Sequence, residues 1–190
     1  MKKLLTIGCL LFLSPLASAD SIPGLYVQGE AGASGTQGAL FFGPAARLSA
    51  GYLWAADNYL SYGIESGVSY NKNKLYWSDD FKPGYTSVNL DLLGVLKYTF
   101  ESGFNVFAKA GGDYSHITTF IDYNDIEVDS NTSIDQVFPE VALGMGYQIN
   151  QNVEIDLTAS TAFSKAGSGK NQQLGTFNNN LMLGLTYHFA

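Results

Sequence analysis

Residues that could carry chemistry are few in this chain, and their spacing narrows the reactions open to it. There are two histidines, His116 and His188. His188 shares its strand face with polar residues and has no serine nucleophile paired with it in sequence, so a hydrogen-bonding role is expected rather than catalysis. His116 falls on an apolar face close to a strand end, with Thr118 beside it and no acidic partner evident. The acidic run Asp122, Asp125, Glu127, Asp129 and Asp135 offers oxygen ligands. Its Asp125-x-Glu127-x-Asp129 core has Ser130 where a calcium loop needs glycine and Gln136 where it needs the closing glutamate. A solvated, self-repelling segment is therefore expected, with Ile126 and Val128 alternating so that a hairpin extends there. No cofactor, metal site or catalytic residue is assigned.

The only cysteine, Cys9, lies in a segment that reads as a leader. Met1-Lys2-Lys3 is basic, Leu4 to Leu13 is apolar, Pro15 breaks the run, and Ala17-Ser18-Ala19 fits a small-x-small cleavage site. Residues 1–19 are expected to be a cleaved signal peptide with Ala17 and Ala19 at the cleavage motif, and 20–190 a single domain. The mature chain then lacks thiols, and losing Lys2 and Lys3 takes the net charge from −7 to −9. Nucleic acid is disfavoured as a partner, because the remaining cations are dispersed.

The elements that position these residues follow from composition and period. Only 14% of residues are charged, against roughly 25% in an ordinary soluble domain. Glycine reaches 21, and Tyr and Phe number 12 each. Mean hydropathy is only +0.02, and no mature segment approaches the roughly 20 apolar residues of a membrane helix. Apolar and polar residues instead alternate with period two. Val88, Leu90, Leu92, Gly94, Leu96, Tyr98 and Phe100 share one face, with Asn89, Asp91, Leu93, Val95, Lys97 and Thr99 on the other. Eight strands are predicted at about 24–33, 45–54, 60–71, 85–100, 104–118, 137–149, 153–163 and 178–189. Short connections alternate with long polar ones, the pattern of a transmembrane barrel with short periplasmic turns and long extracellular loops.

One face carries the charges Glu30, Arg47, Glu65, Asp91, Lys97, Lys109, Asp113, Glu140, Glu154 and Asp156, while the other is nearly free of charge. Apolar side chains outside and charges inside imply lipid around the barrel. Aromatic girdles are expected from Tyr52, Trp54, Tyr62, Tyr98, Phe100, Phe104, Tyr147, Tyr187 and Phe189 at the periplasmic rim, and from Tyr70, Tyr85, Tyr114 and Phe163 at the other. Hydrocarbon cannot satisfy a free sheet edge, so strand eight must close on strand one. The fold class is all-β: an eight-stranded, antiparallel, up-and-down transmembrane β-barrel.

The chain resembles the small eight-stranded Gram-negative outer-membrane barrels, the outer membrane protein A transmembrane-domain and opacity-porin group. Gly184-Leu185-Thr186-Tyr187-His188-Phe189 is similar to the Gly-x-x-aromatic-x-Phe signal of a last strand, with Ala190 beyond it. Phe107-Ala108-Lys109-Ala110-Gly111-Gly112 and Gly144-Met145-Gly146-Tyr147 are similar to strand sequences of the group. The resemblance implies assembly through the barrel-assembly machinery by Gly184, Tyr187 and Phe189. It also implies residence among outer-membrane lipids and lipopolysaccharide, with termini periplasmic. Lipid A deacylase barrels carry a lipid-facing His-x-Ser near the position of His116-Ile117-Thr118, from which the threonine departs.

An eight-stranded barrel is just wide enough to be filled by its own side chains, so a plugged lumen is expected. The leading expectation is a monomeric, non-enzymatic envelope protein displaying four loops, with an adhesive or protective role. A narrow cation-preferring channel and a lipid A-modifying enzyme are the alternatives. Phe41 and Phe42 in the first loop, and Tyr76, Trp77 and Phe81 in the second, are candidate contacts to lipopolysaccharide or a surface ligand. Inside, Arg47 is expected to bridge Glu30, nearly opposite it, and Glu65, one diagonal step away opposite Ser49.

Overall fold

The computed structural model describes residues 22–35, 43–74, 81–123, 126–166 and 173–189. They form eight antiparallel strands: β1 (Gly24–Gly35), β2 (Gly43–Ala55), β3 (Leu60–Lys74), β4 (Phe81–Thr99), β5 (Phe104–Tyr123), β6 (Ile126–Gln148), β7 (Val153–Ala166) and β8 (Gln173–Phe189). Each pairs with the next, and β8 pairs with β1 from Leu25↔Phe189 to Gly35↔Asn179, so the barrel closes. Closure removes the free edges that hydrocarbon would leave without hydrogen bonds.

Alternation decides which side chains line the lumen. Leu48, Leu92 and Leu143 are 64–69% exposed on the outside, whereas Arg47, Glu65 and Asp91 are buried inside. The short-turn rim carries a nearly continuous aromatic belt. Trp54 stacks on Tyr62 at 5.7 Å, Tyr98 meets Phe100 at 5.0 Å, and Phe100 meets Phe104 at 5.7 Å. Tyr187 and Phe189 close it edge to face at 5.0 Å.

Two short turns use the same device. Asp57 Oδ1 accepts the amides of Tyr59 and Leu60, both at 2.7 Å, and Asn150 Oδ1 accepts those of Asn152 and Val153 at 2.8 and 2.9 Å. The third turn places Gly103 at φ +81°, where a side chain would be strained.

The hairpin expected from the alternation of Ile126 and Val128 is present, with β5 and β6 paired as far as Tyr123↔Ile126. It takes up most of the connection predicted over 119–136, and a bulge between Thr118 and Phe120 shifts the register within it. Two expectations need correction. Tyr85 points inward, buried with Ile117, Phe138 and Ala162, because it shares the parity of Ser87 and Asn89 rather than that of Val88. Finally, Glu65 lies opposite Gly51, not Ser49. The turn closes through Ala56 N–H to Leu60 C=O at 2.8 Å, centred on residue 58 rather than on Asp57, and one residue at the turn moves the register by two.

Candidate functional site

The lumen holds the charged residues that period two places inward, and their grouping depends on register. Arg47 on β2 lies directly opposite Glu30 on β1, and its Nη1 donates to Glu30 Oε2 at 2.9 Å. Nη2 donates to Glu65 Oε1 on β3 at 2.7 Å, bringing in the second carboxylate assigned to it. A third partner was not anticipated. Nε and Nη2 form parallel bonds of 2.9 and 2.7 Å to the two oxygens of Asp91, two strands away on β4. Gly67 on the intervening β3 makes the crossing possible: a Cβ there would lie 2.8 Å from Arg47 Nη2. An inward glycine flanked by Glu65 and Ser69 was the available signal.

Glu65 sits at the centre of the network. Tyr26 donates its hydroxyl to Oε2 at 2.7 Å, passing over Gly51, where a Cβ would lie 2.5 Å from the ring. Lys109 reaches across the lumen from β5 and donates to both oxygens at 2.8 Å, and to Gln28 Oε1 at 3.0 Å. Nearer the short-turn rim, Lys97 on β4 pairs with Glu154 on β7 at 2.5 Å. Asp156 Oδ2 accepts from Thr186 at 2.5 Å and from Gln28 at 3.1 Å. His188 is buried with Nε2 3.6 Å from Glu154 Oε2, beyond hydrogen-bond reach, and neither ring nitrogen makes the hydrogen bond expected of it.

Between these two layers remains a cavity of about 20 Å³, bordered by Tyr26, Glu65, Lys109, Glu154 and Asp156. That is room for about one water molecule. Towards the long-connection rim, Asp91 and Asp113 are direct cross-strand neighbours, and half-buried Glu140 adds a third carboxylate with no further cation from the assigned set. Among the described residues, no three His, Cys, Asp or Glu side chains converge as metal ligands.

On the lipid-facing side, His116 lies two residues beyond Tyr114, where β5 leaves the apolar band. Its Nδ1 is 2.7 Å from Asp135 Oδ1 across the β5–β6 pairing, so the acidic partner not evident in sequence comes from the neighbouring strand. The imidazole and the Tyr114 hydroxyl both bond the Asp135 carboxyl and hold it below its ordinary pKa. Thr118 has Thr86 and Ser133 as cross-strand neighbours.

Gly184 faces inward beneath Glu30, whose Cγ would be 2.9 Å from a Cβ, while Tyr187 and Phe189 face outward. Phe41, Phe42, Tyr76, Trp77, Ala17 and Ala19 lie outside the described residues. Phe81 begins β4, but its side chain is not among those described, and the same holds for Asp122, Glu127 and Asp129 on the long hairpin.

A closed eight-stranded barrel with an apolar exterior and a charged, hydrogen-bonded interior defines an outer-membrane β-barrel protein. The chain belongs to the Outer membrane protein beta-barrel domain family, whose model matches residues 5–189. No curated protein matches the sequence. Among solved structures it is similar to Neisserial surface protein A, with a TM-score of 0.56 and 19% identity over 90% of this chain and 100% of that one. OprG from Pseudomonas aeruginosa gives 0.55 and 12% over 90% and 99%. Ail, the attachment invasion locus protein of Yersinia pestis, gives 0.54 and 12% over 90% and 99%. At these identities the likeness is one of fold.

Proposed function

We propose that this barrel is a non-enzymatic envelope protein that presents its long connections at the cell surface, with both termini periplasmic. The observation that carries the reading is the filled lumen. Arg47, Lys97 and Lys109 are each tied to carboxylates on other strands, and the void between the layers holds about one water. An opening for solutes would require desolvated ion pairs to separate, which makes steady diffusion costly. Interaction with a surface ligand then falls to the loops and to the β5–β6 hairpin. Planar-bilayer recordings test this: the purified protein gives no stable unitary currents, and steady cation-selective steps would overturn it in favour of a channel.

The structure of Ail in complex with the heparin analogue sucrose octasulfate shows that a fold of this kind can present a polyanion site. In sequence, residues 119–136 carry Asp122, Asp125, Glu127, Asp129 and Asp135 and no Lys or Arg, so an acidic sulfated ligand is repelled from this segment.

One observation favours a second reading. His116 held by Asp135, with hydroxyl residues Thr118 and Ser133 on the neighbouring ladder positions, has the components of a general base beside a nucleophile at the level of the lipid headgroups. Mass spectrometry of lipid A from cells with and without the protein separates the two. Unchanged acylation supports display, and loss of an acyl chain that H116N abolishes supports the enzyme.

A further inference from the structure

We infer that the floor of the lumen at Gly146 is a binding site for a dehydrated monovalent cation of sodium's size. Gly146 on β6 lies between Asn105 on β5 and Asp156 on β7 in the sheet. Three oxygens from these flanking strands crowd the space its missing side chain leaves. A Cβ on Gly146 would lie 2.6 Å from Asp156 Oδ1, 2.6 Å from Glu154 Oε1 and 2.9 Å from Asn105 Oδ1.

Other groups already account for the far oxygens. Glu154 Oε2 takes Lys97 Nζ, and Asp156 Oδ2 takes Thr186 and Gln28. The near oxygens, Oε1 and Oδ1, both lie 2.6 Å from the same point beside Gly146. Two carboxylates converging on one point favour a positive charge between them, whether a proton or a cation. Asn105 supplies the independent observation. It is fully buried, and neither Oδ1 nor Nδ2 has a hydrogen-bond partner. A buried amide normally finds partners, so this one marks a missing neighbour.

The donors are all oxygens, which selects a hard cation. Calcium takes six to eight oxygens and magnesium retains its water shell. Three converging protein oxygens and an adjoining cavity of about 20 Å³ satisfy neither. Charge selects in the same direction: with both carboxyls ionised, Lys97 offsets the charge of Glu154, and one monovalent ion would neutralise that of Asp156.

The test is the unfolding midpoint of the refolded full-length barrel at pH 8, in sodium chloride and in N-methylglucamine chloride at equal ionic strength. Sodium raises the midpoint saturably, by about 5 °C once it is far above its dissociation constant. Sodium-23 relaxation of the same samples broadens with protein present. N105L and D156N, each confirmed as folded by heat-shifted gel migration, lose both effects, while S102A on the neighbouring turn keeps them. Equal midpoints in the two salts would overturn the site, as for carboxylates bridged by a proton or an Asn105 amide turned to donate Nδ2–H. Retention of the sodium effect in N105L, or a larger rise with calcium or magnesium, would also overturn it.

Discussion

Arg47 binds Asp91 through two parallel N–H···O bonds across an intervening strand, and Gly67 is the gap through which it does so. The same construction recurs where Tyr26 crosses Gly51 to reach Glu65. A glycine in the middle strand lets the side chain lie flat against the barrel wall and meet a partner that adjacent-strand pairing would not supply.

Replacing Gly67 with alanine therefore acts on the ion network. A Cβ within 2.8–3.0 Å of three guanidinium atoms displaces a group pinned by three carboxylates. G67A is expected to cost about 1–3 kcal/mol. Gly112 has nothing within 4 Å of a Cβ, so G112A is the control and leaves stability unchanged or slightly higher. Urea unfolding of the two variants in vesicles measures the difference.

R47M leaves Glu30 and Asp91 without their cation in a buried site, while Glu65 keeps Lys109. A loss of about 3–5 kcal/mol is expected. R47K retains the charge but not the planar fork that holds Asp91, and should recover only part of that loss. Equal stabilities for R47M and R47K in urea titrations would show that the forked geometry contributes nothing.

The Asp57 turn gives a pH dependence. Two backbone amides bonded to its carboxylate hold its pKa below the ordinary value. A folded pKa below the unfolded one means that the contribution is present above the unfolded pKa and fades as pH falls through the folded one. The amides of Tyr59 and Leu60 should lose hydrogen-exchange protection below about pH 4, after correction for intrinsic exchange. D57N should remove this pH dependence.

At the opposite rim, His116 lowers the pKa of Asp135. H116L should move the Asp135 ionisation midpoint upwards, with the Tyr114 hydroxyl still holding it below the ordinary carboxyl value. Carbon-13 NMR of the carboxyl reports it directly, and an unmoved midpoint would show that the contact is not maintained in the membrane.

Period-two alternation determined the barrel, the inside-out faces and the inward parity of residues such as Arg47, Glu65 and Asp156, because a strand has only two faces and lipid accepts only one kind. The contact of Arg47 with Glu30 was legible too, since one hairpin relates them. Tertiary structure decided the rest. A turn centred one residue later than expected set Glu65 opposite Gly51. Glycine gaps let Arg47 and Tyr26 reach across a strand, and closure carried Lys97 and Lys109 over the lumen to Glu154 and Glu65. Asp135 was visible only as part of an acidic run until the β5–β6 register placed it beside His116. Alternation is a property of each strand alone, whereas these contacts depend on register, side-chain reach and the distance across a closed barrel, which arise only when all eight strands are assembled.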